Sequence, residues 1–371
     1  MTELFRRYKR IISLILIIVL FASFAHLANA AQIPVSAKSA FLLDVESNTV
    51  LFEKSADVKL PMASLTKIMT SVVVLETMNL GSIITVKKED ILVEGSSMYL
   101  TESEQISVGD LLTGLLLTSG NDAANVLASA YPGGSDAFID KMNAKAFELG
   151  LTSTCFANPS GLTADNHYST ARELAILTAY ALSNEVFSDT VALKSAKVGS
   201  RTLVNHNKML SYYDGAIGVK TGYTKLAGRC LVSAAKVGDA LLVCVTLNAP
   251  DDWNDHIKLF NFGFNSFERI TYEDLIFDTE IRIGGGVKDT LLVGVNKGKY
   301  TFKKGVDNTS VEVLRCPYVL APISIGQVIG TVKITLSNGE ILTLPLTAKE
   351  GVAARRKPGI FDWLKKLFKR K

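Results

Sequence analysis

The chain has 371 residues, of which 48% are hydrophobic, so it is long enough for two domains with ordinary apolar cores. Its 40 Lys and Arg residues against 36 Asp and Glu residues give a net charge of +4. Residues 1–30 carry +3 and residues 351–371 carry +7, which leaves −6 for the body between them. An acidic body argues against nucleic acid as a partner, because nucleic-acid binding needs a basic face on the domain itself.

The first 30 residues have the three parts of a secretory signal peptide. An apolar run at residues 11–24 precedes the small-x-small pattern Ala28-Asn29-Ala30. This run is shorter than the about 20 residues that a membrane-spanning helix needs. The run follows a basic cluster: Arg6, Arg7, Lys9 and Arg10. We therefore predict cleavage after Ala30 and export of the mature chain, with an uncleaved N-terminal anchor as the alternative.

Residues 31–267 are predicted to form an α+β domain, an antiparallel sheet with a helical insertion. A β-hairpin at residues 40–53 comes first, and Pro61 then opens a buried helix. Helices follow at residues 108–130, 136–149 and 170–182, the first interrupted at residues 119–121. The domain ends with strands at residues 218–223, 229–236 and 240–247 and a helix at residues 257–264.

Residues 268–350 alternate short β-branched runs with Gly and Asn turns, which is typical of a small all-β domain. The four cysteines of the chain lack the spacing of a zinc site: Cys155, Cys230, Cys244 and Cys316. Export permits disulfides, and several pairings are open. Cys230 and Cys244 lie in apolar strand-like runs, so buried free thiols are the preferred interpretation.

Residues 351–371 form a basic tail with one apolar helical face. Lys and Arg residues occupy the opposite face, and Pro358-Gly359 separates the helix from the body. The pattern predicts a short amphipathic helix in the interface of an anionic membrane, with docking on the protein's own body as the alternative. The apolar positions recur at i, i+3, i+4, i+7 and i+8: Ile360, Trp363, Leu364, Leu367 and Phe368.

Three short motifs carry the candidate chemistry, and the first is Ser64-x-x-Lys67. On a helix, residues i and i+3 share a face, so a lysine with a lowered pKa can accept the serine proton. The same spacing recurs at Ser233-x-x-Lys236, but in a predicted strand, where these positions point to opposite faces. Only the first copy therefore predicts a nucleophile and its base.

The second motif, Ser119-Gly120-Asn121, lies between two helical segments. The Ser119 hydroxyl suits a proton relay to a leaving amine, and the Asn121 amide suits a hydrogen bond to a substrate backbone. Ordinary helix capping is the alternative, because Ser and Asn are favoured N-cap residues.

The third motif, Lys220-Thr221-Gly222, lies on a predicted strand. Lys220 supplies positive potential, the Thr221 hydroxyl suits a terminal carboxylate, and Gly222 permits close approach to the backbone. An extended peptide can bind beside such a strand by edge pairing. An exposed strand end with a turn glycine is the alternative.

Together the motifs form the set S-x-x-K, S-x-N and K-T-G. The chain resembles the low-molecular-mass penicillin-binding proteins of the serine-type D-alanyl-D-alanine carboxypeptidase class over nearly its whole length. Further matching stretches are Pro61-Met62-Ala63 and residues 156–162, 205–210 and 218–224. The resemblance implies a β-lactamase/DD-peptidase-like catalytic domain that trims the terminal D-alanine from peptidoglycan pentapeptide stems. It also implies β-lactam antibiotics as covalent ligands, no metal or organic cofactor, and a location on the outer face of the cytoplasmic membrane.

By the same resemblance, Ser64 is the acylating nucleophile, Lys67 accepts its proton, and Ser119 relays a proton to the departing D-alanine. The backbone N–H groups of Ser64 and Tyr223 would form the oxyanion hole. The implied substrate-binding residues are Asn121, Lys220, Thr221, Gly222 and Tyr223.

A second cation for the substrate carboxylate is less evident in the sequence. Some relatives place an arginine after the last catalytic strand, but residues 249–256 contain none. Arg229 is a candidate substitute, although a surface position on its strand is the favoured interpretation.

Other classes fit less well. A class A β-lactamase needs a glutamate for deacylation, and residues 155–159 contain no carboxylate. A catalytically silent wall-binding protein would not need the Ser–Lys pair. A zinc peptidase is disfavoured because His167, His206 and His256 form no H-E-x-x-H pattern. We interpret these three histidines as structural or surface residues.

Overall fold

The computed structural model describes residues 33–272, 276–295, 298–305, 308–339 and 341–355. The predicted signal peptide and the predicted amphipathic helix of the tail lie outside these residues and stay predictions. Across the described ranges, no helix is long and apolar enough to cross a membrane.

The N-terminal domain mixes short strands and helices. Its strands are β1 (Ser39–Asp44), β2 (Thr49–Lys54), β3 (Ile83–Thr85), β4 (Gln105–Ser107), β5 (Ser195–Val198), β6 (Arg201–Val204), β7 (Ala216–Thr224), β8 (Gly228–Val237) and β9 (Ala240–Leu247). Its helices are α1 (Lys67–Thr77), α2 (Lys88–Ile91), α3 (Val108–Leu117), α4 (Asn121–Ser129), α5 (Gly134–Glu148), α6 (Ala171–Leu182), α7 (Glu185–Ala192), α8 (Met209–Tyr212) and α9 (Asp252–Ser266).

One five-stranded antiparallel sheet organises this domain, in the order β2-β1-β9-β8-β7. Its strands come from both ends of the domain sequence, and most of the helices lie between them, which confirms the predicted α+β fold class. The larger apolar core lies between the sheet and the inserted helices, and α9 packs on the opposite face. Strand β7 lies at one edge of the sheet, so one side of its backbone can pair with an added strand.

Helix α1 runs through the centre of the larger core, as its apolar sequence predicts. All residues of its first two turns are buried. The prediction that this helix opens at Pro61 is wrong, because a 3-10 turn at Ala63–Thr66 comes first and the α-helix begins at Lys67. Ala63 has a φ of 49°, a left-handed conformation that a right-handed helix cannot include.

Two other predictions needed correction. The terminal helix α9 begins at Asp252, five residues before the predicted residue 257. Helix α7 and the β5–β6 hairpin were not predicted, because the helix has only eight residues and each strand of the hairpin only four, too few for a clear apolar period. The interrupted helix at residues 108–130 is confirmed as the pair α3 and α4.

The second domain is all β, as predicted. Its strands are β10 (Phe267–Tyr272), β11 (Ile276–Gly284), β12 (Thr290–Val295), β13 (Gly298–Lys303), β14 (Asn308–Arg315), β15 (Tyr318–Leu320), β16 (Val328–Leu336) and β17 (Ile341–Ala348). Six of them form a sheet in the order β14-β16-β17-β12-β11-β15, and β10 pairs with β13. Alternate residues of these strands fill a separate apolar core.

A buried carboxylate joins the two domains. Asp44, at the end of β1, is fully buried and accepts hydrogen bonds from Arg269 Nε at 2.6 Å and from Thr301 Oγ1 at 2.6 Å. The Ser47 hydroxyl also donates to Thr301 at 2.9 Å. Because Arg269 and Thr301 belong to the second domain, these hydrogen bonds fix that domain against the end of β1.

Candidate active site

Residues from the three sequence motifs meet in one cleft of about 380 Å³. Ser64 lies on the 3-10 turn before α1, and the S-x-N motif lies between α3 and α4. The K-T-G motif lies on the edge strand β7. The cleft lining includes Ser64, Ser119, Asn121, Thr221, Gly222 and Tyr223. Lys67 and Lys220 are buried beside this cleft.

The Lys67 amine is held at the Ser64 hydroxyl by two further acceptors. Its Nζ lies 3.1 Å from Ser64 Oγ and 2.7 Å from Asn121 Oδ1, and it also donates to the Ser160 carbonyl oxygen. Burial lowers the pKa of Lys67 well below its usual value, and the charge of Lys220 lowers this pKa further. A lysine with a lowered pKa gives up its proton more readily, and its neutral amine can then accept the proton of the serine.

Lys220 is the second buried amine of the site. Its side chain is almost completely buried, and its Nζ donates to the backbone oxygen of Thr221 at 2.9 Å. Burial lowers the pKa of Lys220 to about 7. The charge of this lysine therefore changes in the physiological pH range, and its positive potential acts on Lys67 and on any anion in the cleft.

The turn between α3 and α4 presents Ser119 in a strained backbone conformation. Ser119 has a φ of 60°, which costs a non-glycine residue about 1–3 kcal/mol and is retained where the surroundings impose it. Asn121 begins α4, with its Oδ1 on Lys67 and its Nδ2 donating to the Glu94 carbonyl at 2.7 Å. In this structure Asn121 therefore orients the lysine, in addition to lining the cleft.

Asp122 is a site residue that the motifs did not reveal. Its carboxylate is buried and accepts hydrogen bonds from Met98 N at 3.0 Å, Leu100 N at 3.1 Å and the Ser97 hydroxyl at 2.5 Å. These contacts hold the segment that flanks the S-x-N turn. The sequence did offer one sign of this role: Asp122 directly follows the S-x-N motif, at the start of a helix whose other residues are mostly small or apolar.

Two glycines allow the backbone to close around the nucleophile. A Cβ on Gly222 would lie 3.1 Å from Ser64 N, because β7 runs directly against the 3-10 turn. Gly161 has a φ of 88°, and a Cβ there would lie only 2.1 Å from the Ala63 carbonyl oxygen. Tyr223, the next residue on β7, also lines the cleft and is 66% exposed.

Arg229 lies at the cleft, although a surface position was favoured from the sequence. Its side chain is 42% exposed, and it pairs across the β7–β8 ladder with Tyr223. The guanidinium donates to Asp252 Oδ1 from Nε at 3.0 Å and from Nη2 at 2.6 Å, and it lies 5.5 Å from the Trp253 ring centroid. Residues 249–256 contain no arginine, but they supply Asp252 and Trp253, which hold the Arg229 guanidinium in place.

The three histidines have different positions. His167 accepts from Ala157 N at 3.0 Å and contacts the Thr66 hydroxyl at 2.7 Å, and burial lowers its pKa to about 4. His256 is buried beside Thr246, and burial lowers its pKa to about 3. His206 lines the cleft, where burial and Lys220 lower its pKa. His167 and His256 thus support the fold as neutral side chains.

The side chains in the described part of the chain form neither a metal-binding cluster nor a disulfide bond. No three His, Cys, Asp or Glu side chains there are placed to hold a metal ion. The four cysteines are free: Cys230 and Cys244 are buried, Cys155 is half-buried, and Cys316 is exposed.

Comparison with known proteins gives the family. Residues 26–251 match the D-alanyl-D-alanine carboxypeptidase family, and residues 272–354 match the C-terminal domain of penicillin-binding protein 5. D-alanyl-D-alanine carboxypeptidase DacF of Bacillus subtilis is 32% identical over 96% of this chain and 97% of its own length. DacC of Escherichia coli is 37% identical over 89% of this chain and 88% of its own.

A solved structure agrees with these matches. Penicillin-binding protein 5 of Haemophilus influenzae superimposes with a TM-score of 0.79 at 28% identity, over 86% of this chain and 98% of that one. The fold and the family matches define a serine hydrolase with a catalytic domain followed by a small β domain. The chain belongs to the D-alanyl-D-alanine carboxypeptidase family.

Proposed function

We propose that this protein removes the terminal D-alanine from peptidoglycan pentapeptide stems through an acyl-enzyme on Ser64. We propose further that β-lactam antibiotics acylate the same serine. The observation that carries the proposal is the desolvated Lys67 amine, 3.1 Å from Ser64 Oγ, in a cleft bounded by an edge strand. The similar proteins are D-alanyl-D-alanine carboxypeptidases and a penicillin-binding protein, which supports the same reaction.

Acylation begins when neutral Lys67 accepts the Ser64 proton as Oγ bonds to the carbonyl carbon of the penultimate D-alanine. The developing oxyanion lies at the backbone N–H groups of Ser64 and Tyr223, where each donor is worth about 3 kcal/mol of transition-state stabilisation. The C–N bond then breaks, and Ser119 relays the proton from Lys67 to the leaving amine. D-alanine departs and leaves an ester on Ser64.

Deacylation reverses these roles with water as the nucleophile. Lys67 accepts a proton from the water as the water oxygen attacks the ester, and Ser64 recovers a proton when its bond to the acyl carbon breaks. In a β-lactam the broken C–N bond belongs to the ring, so the leaving amine stays attached to the acyl group and remains near the ester. We therefore expect the penicillin adduct to persist.

The substrate's terminal carboxylate would lie between Thr221, Lys220 and Arg229. Thr221 and Arg229 line the same cleft, and Lys220 lies beneath it. The two hydrogen bonds to Asp252 fix the plane of the Arg229 guanidinium. Because a guanidinium has five N–H donors, other donors remain for the substrate carboxylate. Arg229 thereby supplies the cation that residues 249–256 do not contain.

We also propose that the protein acts outside the cytoplasm, bound to the outer face of the membrane. The signal-peptide pattern of residues 1–30 and the basic amphipathic pattern of residues 351–371 support this location. Peptidoglycan stems are present on that side of the membrane, so the location agrees with the proposed substrate.

Intact-protein mass spectrometry tests the chemistry. The chain from residue 31 onward would be incubated with penicillin and, separately, with a diacetyl-lysyl-D-alanyl-D-alanine peptide. One persistent penicillin adduct that maps to Ser64, together with released D-alanine, is expected, and Ser64→Ala should abolish both. Rapid penicillin turnover without D-alanine release would indicate a β-lactamase instead. Folded protein that gives neither adduct nor turnover would contradict the proposal and indicate a binding protein.

A further inference from the structure

Four exposed apolar side chains cluster at one end of the β domain. Val287 is 56% exposed, Leu320 is 68%, Ile325 is 72% and Val328 is 64%. They lie on two loops and at two strand ends, and we call them the apolar tip. Soluble proteins rarely group such residues without a partner, whereas single exposed apolar side chains are common.

Hydrogen bonds place the apolar tip around the last described residues. Val287 N donates to the Ala353 carbonyl at 3.0 Å, and Gly326 N donates to the Ala348 carbonyl at 2.8 Å. Ile323 and Val352 exchange two backbone hydrogen bonds at 2.9 Å each. The chain therefore leaves the domain through the apolar tip, at Arg355.

The segment that follows is the basic tail. Residues 356–371 carry seven Lys and Arg residues and one Asp, and their apolar positions, which include Trp363, recur with the period that predicts an amphipathic helix. Because this segment is joined to the apolar tip within a few residues, a tail that lies in a membrane interface brings the tip to the same surface.

We propose that the apolar tip is a second membrane-contact surface, which inserts into the interface of an anionic lipid bilayer together with the tail. This inference rests on the membrane anchoring proposed above. With two contacts instead of one, the β domain stands on the membrane by its tip as well as being joined to it through the tail. The catalytic domain, fixed to the other part of the β domain through Asp44, is then held in one orientation toward the wall.

Vesicle binding by the full chain without residues 1–30 tests this surface. The probe is vesicles of phosphatidylglycerol and phosphatidylethanolamine, and the measurement is the partition coefficient from co-sedimentation. Val287→Ser and Ile325→Ser should each weaken partitioning by about fivefold, and together by about 25-fold, because apolar area is lost from the bilayer contact. Penicillin labelling of each variant checks that it is folded.

The domain offers a matched control. Val311 is 55% exposed, like Val287, but it pairs with Ile334 on β16, about 20 Å along that strand from Val328. Val311→Ser should leave partitioning unchanged. Equal effects of Val311→Ser and Val287→Ser would overturn the proposal.

Tail variants separate this inference from the anchoring on which it rests. If Trp363→Ser releases the protein but Val287→Ser and Ile325→Ser do not weaken binding, the tail anchors alone and the proposed tip contact is wrong. Stronger binding of the tip variants would show that the tail docks on the tip, and would also overturn the proposal. A full chain that does not bind vesicles would refute the anchoring and the tip contact together.

Discussion

Replacing Asn121 with aspartate places a carboxylate against the proposed general base without changing the size of the side chain. Asn121 Oδ1 lies 2.7 Å from Lys67 Nζ. At an effective dielectric constant of about 20, two unit charges at that distance attract by about 6 kcal/mol. This attraction favours protonated Lys67 and raises its pKa, and each 1.4 kcal/mol or so of it lowers the neutral fraction about tenfold. At any pH below both pKa values, the neutral fraction of Lys67 falls by about 10⁴-fold, and acylation should fall with it.

The measurement is the pH profile of the acylation rate with a fluorescent penicillin. The wild-type profile should rise with pH as Lys67 loses its proton, and in Asn121→Asp this rise should move to much higher pH. Asn125→Asp is a matched control, because Asn125 lies one turn further along α4 and donates to the Asp90 carbonyl instead. A rise at the wild-type pH in Asn121→Asp would refute Lys67 as the base, whatever the absolute rate.

Four further outcomes are expected. Gly161→Ala should slow acylation at least about 100-fold, because the added Cβ would meet a carbonyl oxygen beside the nucleophile. Gly150→Ala is the control and should not slow acylation, because Gly150 has a similar φ of 74° but open space around its Cβ position. Asp44→Ala should lower the free energy of unfolding by about 3 kcal/mol in denaturant titrations, since it leaves a partly buried arginine without its partner. Arg229→Leu should raise KM about tenfold with little change in kcat, and a peptide with an amidated C-terminus should show no such difference. Lys220 loses its positive charge as pH rises through about 7, so KM should increase above that pH, and Lys220→Arg should remove the increase.

Results that would contradict these expectations are equally definite. Equal losses in the two glycine variants would attribute the effect to backbone strain rather than to the clash. An unchanged unfolding free energy in Asp44→Ala would mean that the contact between the domains contributes nothing. A KM increase in Arg229→Leu that also appears with the amidated peptide would exclude a role in carboxylate recognition.

The sequence by itself determined the type of each region and the chemistry of its motifs. The Ser64-x-x-Lys67 spacing was informative because a helix places i and i+3 on one face, and the copy that ends at Lys236 was rejected because a strand does not. That copy lies in β8, as predicted. Local periodicity also distinguished the mixed domain from the all-β domain, because the period of the apolar residues depends on neighbours along the chain.

Only the tertiary structure decided which distant residues meet. Asp122 holds a segment more than twenty residues earlier, Arg229 depends on Asp252, and Gly161 is required by a carbonyl nearly a hundred residues away. The sequence carried no sign of these partners, because the contacts cross between elements whose order in space is set by sheet topology. The lowered pKa of Lys67 has the same origin: burial and the charge of Lys220 act through space, and neither is a property of the four-residue motif.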